Sequence, residues 1–107
     1  MDYEVDKYEN KFWYKYGKLH RIGGPAIEFA SGTKTWYKEG FIHREDGPAS
    51  ELFNGTKYWY KEGKYHRLDG PAIEWSNGTK EYYYLGKYLN CNSDEEYFKL
   101  LKLKAFW

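Results

Sequence analysis

The chain has 107 residues, with 17 Lys plus Arg against 16 Asp plus Glu and a net charge of +1. That balance excludes a global field that would draw nucleic acid or an acidic membrane, so electrostatic function falls to local patterning. A single cysteine excludes an internal disulfide, and no apolar run approaches the ~20 residues of a membrane-spanning helix. Aromatic residues make up 22% of the chain while aliphatic ones are scarce, so the expected core is built from rings.

In chain order, residues 1–9 read as a polar, acidic lead-in without a signal-peptide pattern. A repeat with a period of 23 residues then begins. His20-Arg21, His43-Arg44 and His66-Arg67 recur at that spacing, as do Gly24-Pro25-Ala26, Gly47-Pro48-Ala49 and Gly70-Pro71-Ala72. So do Trp13, Trp36 and Trp59. The period divides the single domain into copies at 10–32, 33–55 and 56–78, a partial copy at 79–92, and a tail at 93–107. Within the second copy, Thr33 to Lys38 alternates and is rich in β-formers, which predicts a strand. Glu39-Gly40 predicts a turn, Phe41 to Arg44 a short extended piece, and Glu45 to Pro48 a second turn. Pro48 forces Gly47 away from the helical region. Ala49 to Phe53 predicts another strand, and Asn54-Gly55 a tight hairpin into the next copy. Alternation predicts two ladders on opposite faces: Trp13, Trp36, Trp59 and Tyr82 on one, Tyr14, Tyr37, Tyr60 and Tyr83 on the other. Glu28, Glu51 and Glu74 fall in register with the lysines flanking the tryptophans, which predicts cross-strand Lys–Glu pairs. In the tail, Ser93 and Glu96 form a capping box, and Tyr97, Leu100, Leu101 and Lys104 follow helical spacing. These predict a helix over roughly 94–104 that covers the last strand edge. The fold expected is all-β, an antiparallel repeat sheet of three full copies and a partial fourth, closed by a short C-terminal helix.

The copies resemble the MORN repeat (membrane occupation and recognition nexus) at Trp36, Gly40, His43, Gly47 and Gly55 and at their equivalents. They are closer still to a MORN-like variant reading Trp-Tyr-x-x-Gly-x-x-His-Arg-x-Asp-Gly-Pro-Ala, similar to small proteins of phages, bacteria and large DNA viruses. The resemblance covers residues 10–99. It implies an interaction scaffold: protein binding or dimerisation for some members, phospholipid binding for others. The Arg and Gly-Pro of this chain stand where that family usually has a glycine pair, so peripheral phospholipid binding is not favoured.

Histidines and arginines that recur in every copy belong first to the construction. His20, His43 and His66 lack a second ligand type at metal spacing, and are expected to be structural along with Trp13, Trp36, Trp59, Gly47, Pro48, Gly70 and Pro71. Arg21, Arg44 and Arg67 can brace the Gly-Pro turns through Asp46 and Asp69, or contact phosphates or acidic partner groups. Gly23 replaces the Asp in the first copy, leaving Arg21 the freest. The Lys-Trp-Lys face alternates cations with rings as single-stranded nucleic-acid sites do, but the in-register glutamates and the balanced charge disfavour that partner. Cys91 stands outside the copies without a nucleophile motif. An enzyme needs one asymmetric constellation, and this chain offers copies. The expected function is therefore non-enzymatic protein binding, with no catalytic residue, metal or cofactor. The binding surface is Tyr14, Tyr37, Tyr60 and Tyr83 together with Arg21, Arg44 and Arg67, because Tyr, Trp and Arg dominate binding hot spots. The partner is another protein, or a second copy in a homodimer. A phage or viral inhibitor of a host defence protein, acting in the host cytoplasm, fits this reading. Sequestration of a small anion such as a cyclic nucleotide is the alternative.

Overall fold

The computed structural model describes residues 3–103. The elements are β1 (Tyr3–Val5), β2 (Lys11–Lys15), β3 (Lys18–Leu19), β4 (Ile27–Glu28), β5 (Lys34–Thr35), β6 (Tyr37–Lys38), β7 (Phe41–Ile42), β8 (Ser50–Glu51), β9 (Lys57–Tyr58), β10 (Tyr60–Lys61), β11 (Lys64–Tyr65), β12 (Ile73–Glu74), β13 (Lys80–Tyr84), β14 (Lys87–Leu89) and α1 (Asp94–Leu103). The main sheet is an antiparallel meander in the order β1-β2-β4-β5-β8-β9-β12-β13-β14. The fold is thus all-β with one short C-terminal helix, as expected. One element was not foreseen. The lead-in supplies β1, which pairs with β2 and sets Tyr3 opposite Trp13 with ring centroids 4.8 Å apart.

Each copy adds two strands to the main sheet and one hairpin beside it. The joint is the tryptophan. Trp36 N–H donates to Ala49 O at 2.7 Å within the main sheet, while Trp36 O accepts from His43 N–H at 3.0 Å in the hairpin β6–β7. Trp13 and Trp59 have the same two bonds. The backbone thus changes partners at one residue, and the hairpins form a second row alongside the meander.

Two kinds of turn alternate. The hairpin turns Tyr16-Gly17, Glu39-Gly40, Glu62-Gly63 and Leu85-Gly86 have positive φ at both residues, the mirror-image two-residue loop that matches strand twist. A non-glycine side chain there costs about 1 kcal/mol, so these turns need outside support. The last three receive it from the preceding copy, as described below. The Asn-Gly turns differ from the two-residue hairpin expected. Gly55 N–H donates to Leu52 O at 3.0 Å and Leu52 N–H to Thr56 O at 2.9 Å, a three-residue loop in which Gly55 alone takes positive φ. Asn54 instead spends its side chain accepting from Thr56 N–H at 3.0 Å. That favours a standard turn over the mirror-image one.

The core is also not the one expected. Within the copies the buried side chains are mostly small or aliphatic: Ala26, Ala49, Ala72, Ile27, Ile73, Thr35, Ser50 and Thr56, with His43 among them. Most rings are only half-buried. The molecule measures 47 × 30 × 18 Å, and its repeats form the main sheet with the two-stranded hairpins beside it. At the C-terminal end a helix is added. There α1 packs Tyr97 against Tyr82, Leu89 and Cys91.

The helix starts as the sequence predicts. Ser93 Oγ accepts from Glu96 N–H at 3.1 Å, and Glu96 Oε1 accepts from Asn92 N–H at 3.0 Å. Asp94, Glu95 and Glu96 put negative charge on its first turn, where the helix dipole favours it. Lys104, the last residue of the expected helix, lies outside the described residues.

Candidate functional site

The arginine of each copy is the centre of a fixed cluster. Arg44 Cζ lies 3.8 Å from the Trp36 ring centroid, Arg67 3.8 Å from Trp59 and Arg21 3.9 Å from Trp13. Arg44 Nη1 donates to Pro48 O at 3.0 Å and to Glu51 Oε2 at 2.9 Å. Arg67 and Arg21 repeat both bonds. Arg44 Nε donates to Asp46 at 3.0 Å and Arg67 Nε to Asp69 at 2.8 Å. The Arg44 guanidinium beside Asp46 holds that carboxyl below its ordinary value. The glycine before each proline is part of the same cluster. A Cβ on Gly47 would stand 3.0, 3.2 and 3.3 Å from Arg44 Cζ, Nε and Nη1. Three near-equal distances place it over the flat face of the guanidinium, opposite the Trp36 ring. Gly47 is therefore required for space and not for φ.

Glu28, Glu51 and Glu74 do fall in register with Lys11, Lys34, Lys57 and Lys80. Their Oε2 atoms, however, accept from the arginines seven residues earlier. Arginine's fork fits a carboxylate while its plane stacks on a ring, and lysine can do only the first.

The histidines join one copy to the next. His20 Nδ1 accepts from Glu39 N–H at 3.0 Å, His43 Nδ1 from Glu62 N–H at 3.0 Å and His66 Nδ1 from Leu85 N–H at 2.9 Å. The following glycine N–H donates to the carbonyl just before each histidine: Gly40 to Leu19, Gly63 to Ile42, Gly86 to Tyr65. Both residues of the Glu39-Gly40, Glu62-Gly63 and Leu85-Gly86 turns are thereby anchored on the preceding copy. An accepting Nδ1 requires the Nε2–H neutral imidazole. Burial and then Lys61 hold His66 below its usual 6.5, in the same direction. Nothing in a 19-residue separation marks this contact in the sequence; only the stacking of copies creates it. Among the described residues no group of three or more His, Cys, Asp or Glu could hold a metal.

In the third and partial fourth copies the tyrosine ladder becomes a connected aromatic cluster. Tyr60 stacks on Tyr65 with centroids 4.6 Å apart, Tyr65 meets Tyr83 at 5.0 Å, and Tyr83 meets Tyr88 at 5.5 Å. Tyr58 joins Tyr60, Tyr65 and Trp75 at 6.3, 6.0 and 5.7 Å. Tyr14 is 42% exposed and Tyr88 52%. Burial raises the Tyr58, Tyr60 and Tyr83 hydroxyls, keeping them neutral hydrogen-bond donors. The sequence placed Tyr14, Tyr37, Tyr60 and Tyr83 on this ladder. It missed Tyr65 and Tyr88, which come from the hairpin strands β11 and β14. Phe41 and Phe53 are exposed as well.

The helix closes the array by substitution. The partial copy has Tyr82 where others have Trp, and Asn90 where others have Arg. Tyr97 of α1 takes the place of the arginine on that ring, with centroids 5.1 Å apart. Its hydroxyl donates toward Arg67 O and Tyr83 O, and burial pushes it up to about 12. Tyr82 donates to Asp94 at 2.6 Å. Cys91 is buried, and its thiol donates to Leu89 O at 3.6 Å with its ionisation pushed up by burial. That suits packing and not nucleophilic attack.

No family model matches this chain, and neither a curated protein nor a solved structure matches it. No helix among the described residues is long and apolar enough to cross a membrane.

Proposed function

We propose that this chain is a non-enzymatic, MORN-like binding module that engages another protein through its tyrosine face. The observation that carries the reading is the division of labour between the two aromatic ladders. The tryptophans are covered by arginines whose charge is already matched by Glu28, Glu51 and Glu74. The tyrosines of the third and partial fourth copies meet one another ring to ring, and Tyr14 and Tyr88 are exposed. A rigid row of rings offers a large contact area at small entropic cost. An inhibitor of a host protein, carried by a phage or virus, is the setting that the composition and the resemblance favour.

The test is native mass spectrometry of the tagged protein recovered from its source cells, for the parent and for Tyr37→Ala/Tyr60→Ala. A complex heavier by a protein's mass, lost in the variant at unchanged thermal stability, supports the reading. A gain of a few hundred daltons in place of a protein refutes it in favour of a small ligand. A partner retained by the variant moves the interface off the tyrosine face.

A further inference from the structure

Grooves run on both sides of the first histidine-arginine loop and between the second and third, and they are not equivalent. The groove at the third copy has Glu45, Asp46 and Asp69 in its walls, and the middle one has Glu39 and Glu45. The groove at the first copy, about 720 Å³, is bounded by Lys15, His20, Arg21, Tyr14 and Ile22 among others, with no Asp or Glu among its described residues. Two substitutions make the difference. Gly23 stands where Asp46 and Asp69 stand, so the Nε that donates to a carboxylate in Arg44 and Arg67 has no such acceptor in Arg21 among the described residues. Ile22 stands where Glu45 stands. Glu45 Oε1 lies 3.4 Å from His43 Nε2, while His20 Nε2 is buried without a hydrogen-bond partner.

The first copy thus keeps the donors and lacks both carboxylates that satisfy them in the second. We infer that the loop around Arg21 is an oxyanion site, taking a phosphate or carboxylate group in the place that Asp46 fills at Arg44. The other two copies show the chemistry directly: a carboxylate oxygen on the arginine Nε, at the rim of a groove beside a lysine. Arg21 is fixed for the role in advance. Its Nη1 is tied to Pro25 O and Glu28, and its plane is stacked on Trp13, so the Nε edge faces out without further ordering. The exposed side chain of Ile22 offers an apolar wall to whatever carries the anion. This site shares Tyr14 with the tyrosine face, and it does not rest on the protein-binding reading.

The experiment is a ¹⁵N-edited NMR titration at constant ionic strength with inorganic phosphate, phenyl phosphate and benzoate, against chloride. The signals followed are the Arg21, Arg44 and Arg67 Nε–H and the backbone amides of Gly23 and Gly24. The expected result is a saturable shift at Arg21, Gly23 and Gly24 that exceeds the shifts at Arg44 and Arg67 severalfold. Phosphate outranking benzoate assigns the source as a phosphate, and the reverse a carboxylate. Ile22→Glu, at an exposed position, supplies the acid of the second copy and should weaken binding at least tenfold with the spectrum otherwise intact. Glu45→Ile/Asp46→Gly should create the same response at Arg44. Equal shifts at all three arginines, or a response unchanged by Ile22→Glu, overturn the inference.

Discussion

Replacing Gly47 by Ala should destabilise the protein by about 1–2 kcal/mol, entirely through Arg44. Gly47 does not have positive φ, and the extended region imposed by the following proline admits alanine freely. The added Cβ would stand 3.0 Å from Arg44 Cζ, and the Trp36 ring lies 3.8 Å away on the other face. The guanidinium cannot retreat without compressing its stack. Loss of the stack costs about 0.5–1 kcal/mol. The Pro48 carbonyl bond contributes about 1 kcal/mol. The Glu51 pair adds about 0.5 kcal/mol, since side-chain exposures of 21% and 37% leave it screened. Together they set a ceiling of about 2–2.5 kcal/mol, and partial retention gives the lower expected figure. The assay is a double-mutant cycle by urea unfolding with Arg44→Ala, following tryptophan fluorescence. In the Arg44→Ala background the Gly47→Ala cost should vanish. A cost of the same size in both backgrounds would show that the glycine serves the backbone, and would refute the sandwich.

The histidine staples predict an acid limb. His66 is neutral and held below 6.5, so the unfolded chain takes the proton first. Its contribution is full above pH 6.5 and is lost as pH falls through the folded value. Unfolding midpoints measured from pH 7.5 to 5 should fall less steeply in His66→Asn, which keeps an acceptor for Leu85 N–H but cannot titrate; an unchanged slope would dismiss the staple. At the helix, Tyr97→Phe keeps the ring on Tyr82 and abandons two carbonyls, costing about 1–2 kcal/mol. Tyr97→Ala also leaves a cavity and should cost about 3–5 kcal/mol, with faster hydrogen exchange in β13 and β14. Exchange unaltered there would mean that the helix does not protect the last hairpin. Because burial raises Tyr97 from 10 to about 12, its contribution is present below pH 10 and is lost as pH rises toward 12. An alkaline unfolding scan in which the parent loses no more stability over that interval than Tyr97→Phe would contradict this.

By itself the sequence determined what local chemistry governs. The 23-residue period set the number of copies, glycine positions set where the chain turns, and Ser93 with Glu96 set where the helix begins. Alternation along each strand also placed the tryptophans and tyrosines on separate faces, because side-chain direction is a property of a single strand. What copies do to one another was decided only in the tertiary structure. The bond from Leu85 N–H to His66 and the meeting of Tyr65 with Tyr83 depend on how far each copy is displaced from the last. The arginine's bond to Glu51, added to its turn-bracing bonds to Asp46 and Pro48, joins residues seven positions apart that meet only once the strands pair. The small-residue core has the same origin. Composition counted the rings correctly, but along the copies alanines and other small or aliphatic residues take the buried positions while most rings stay half-buried.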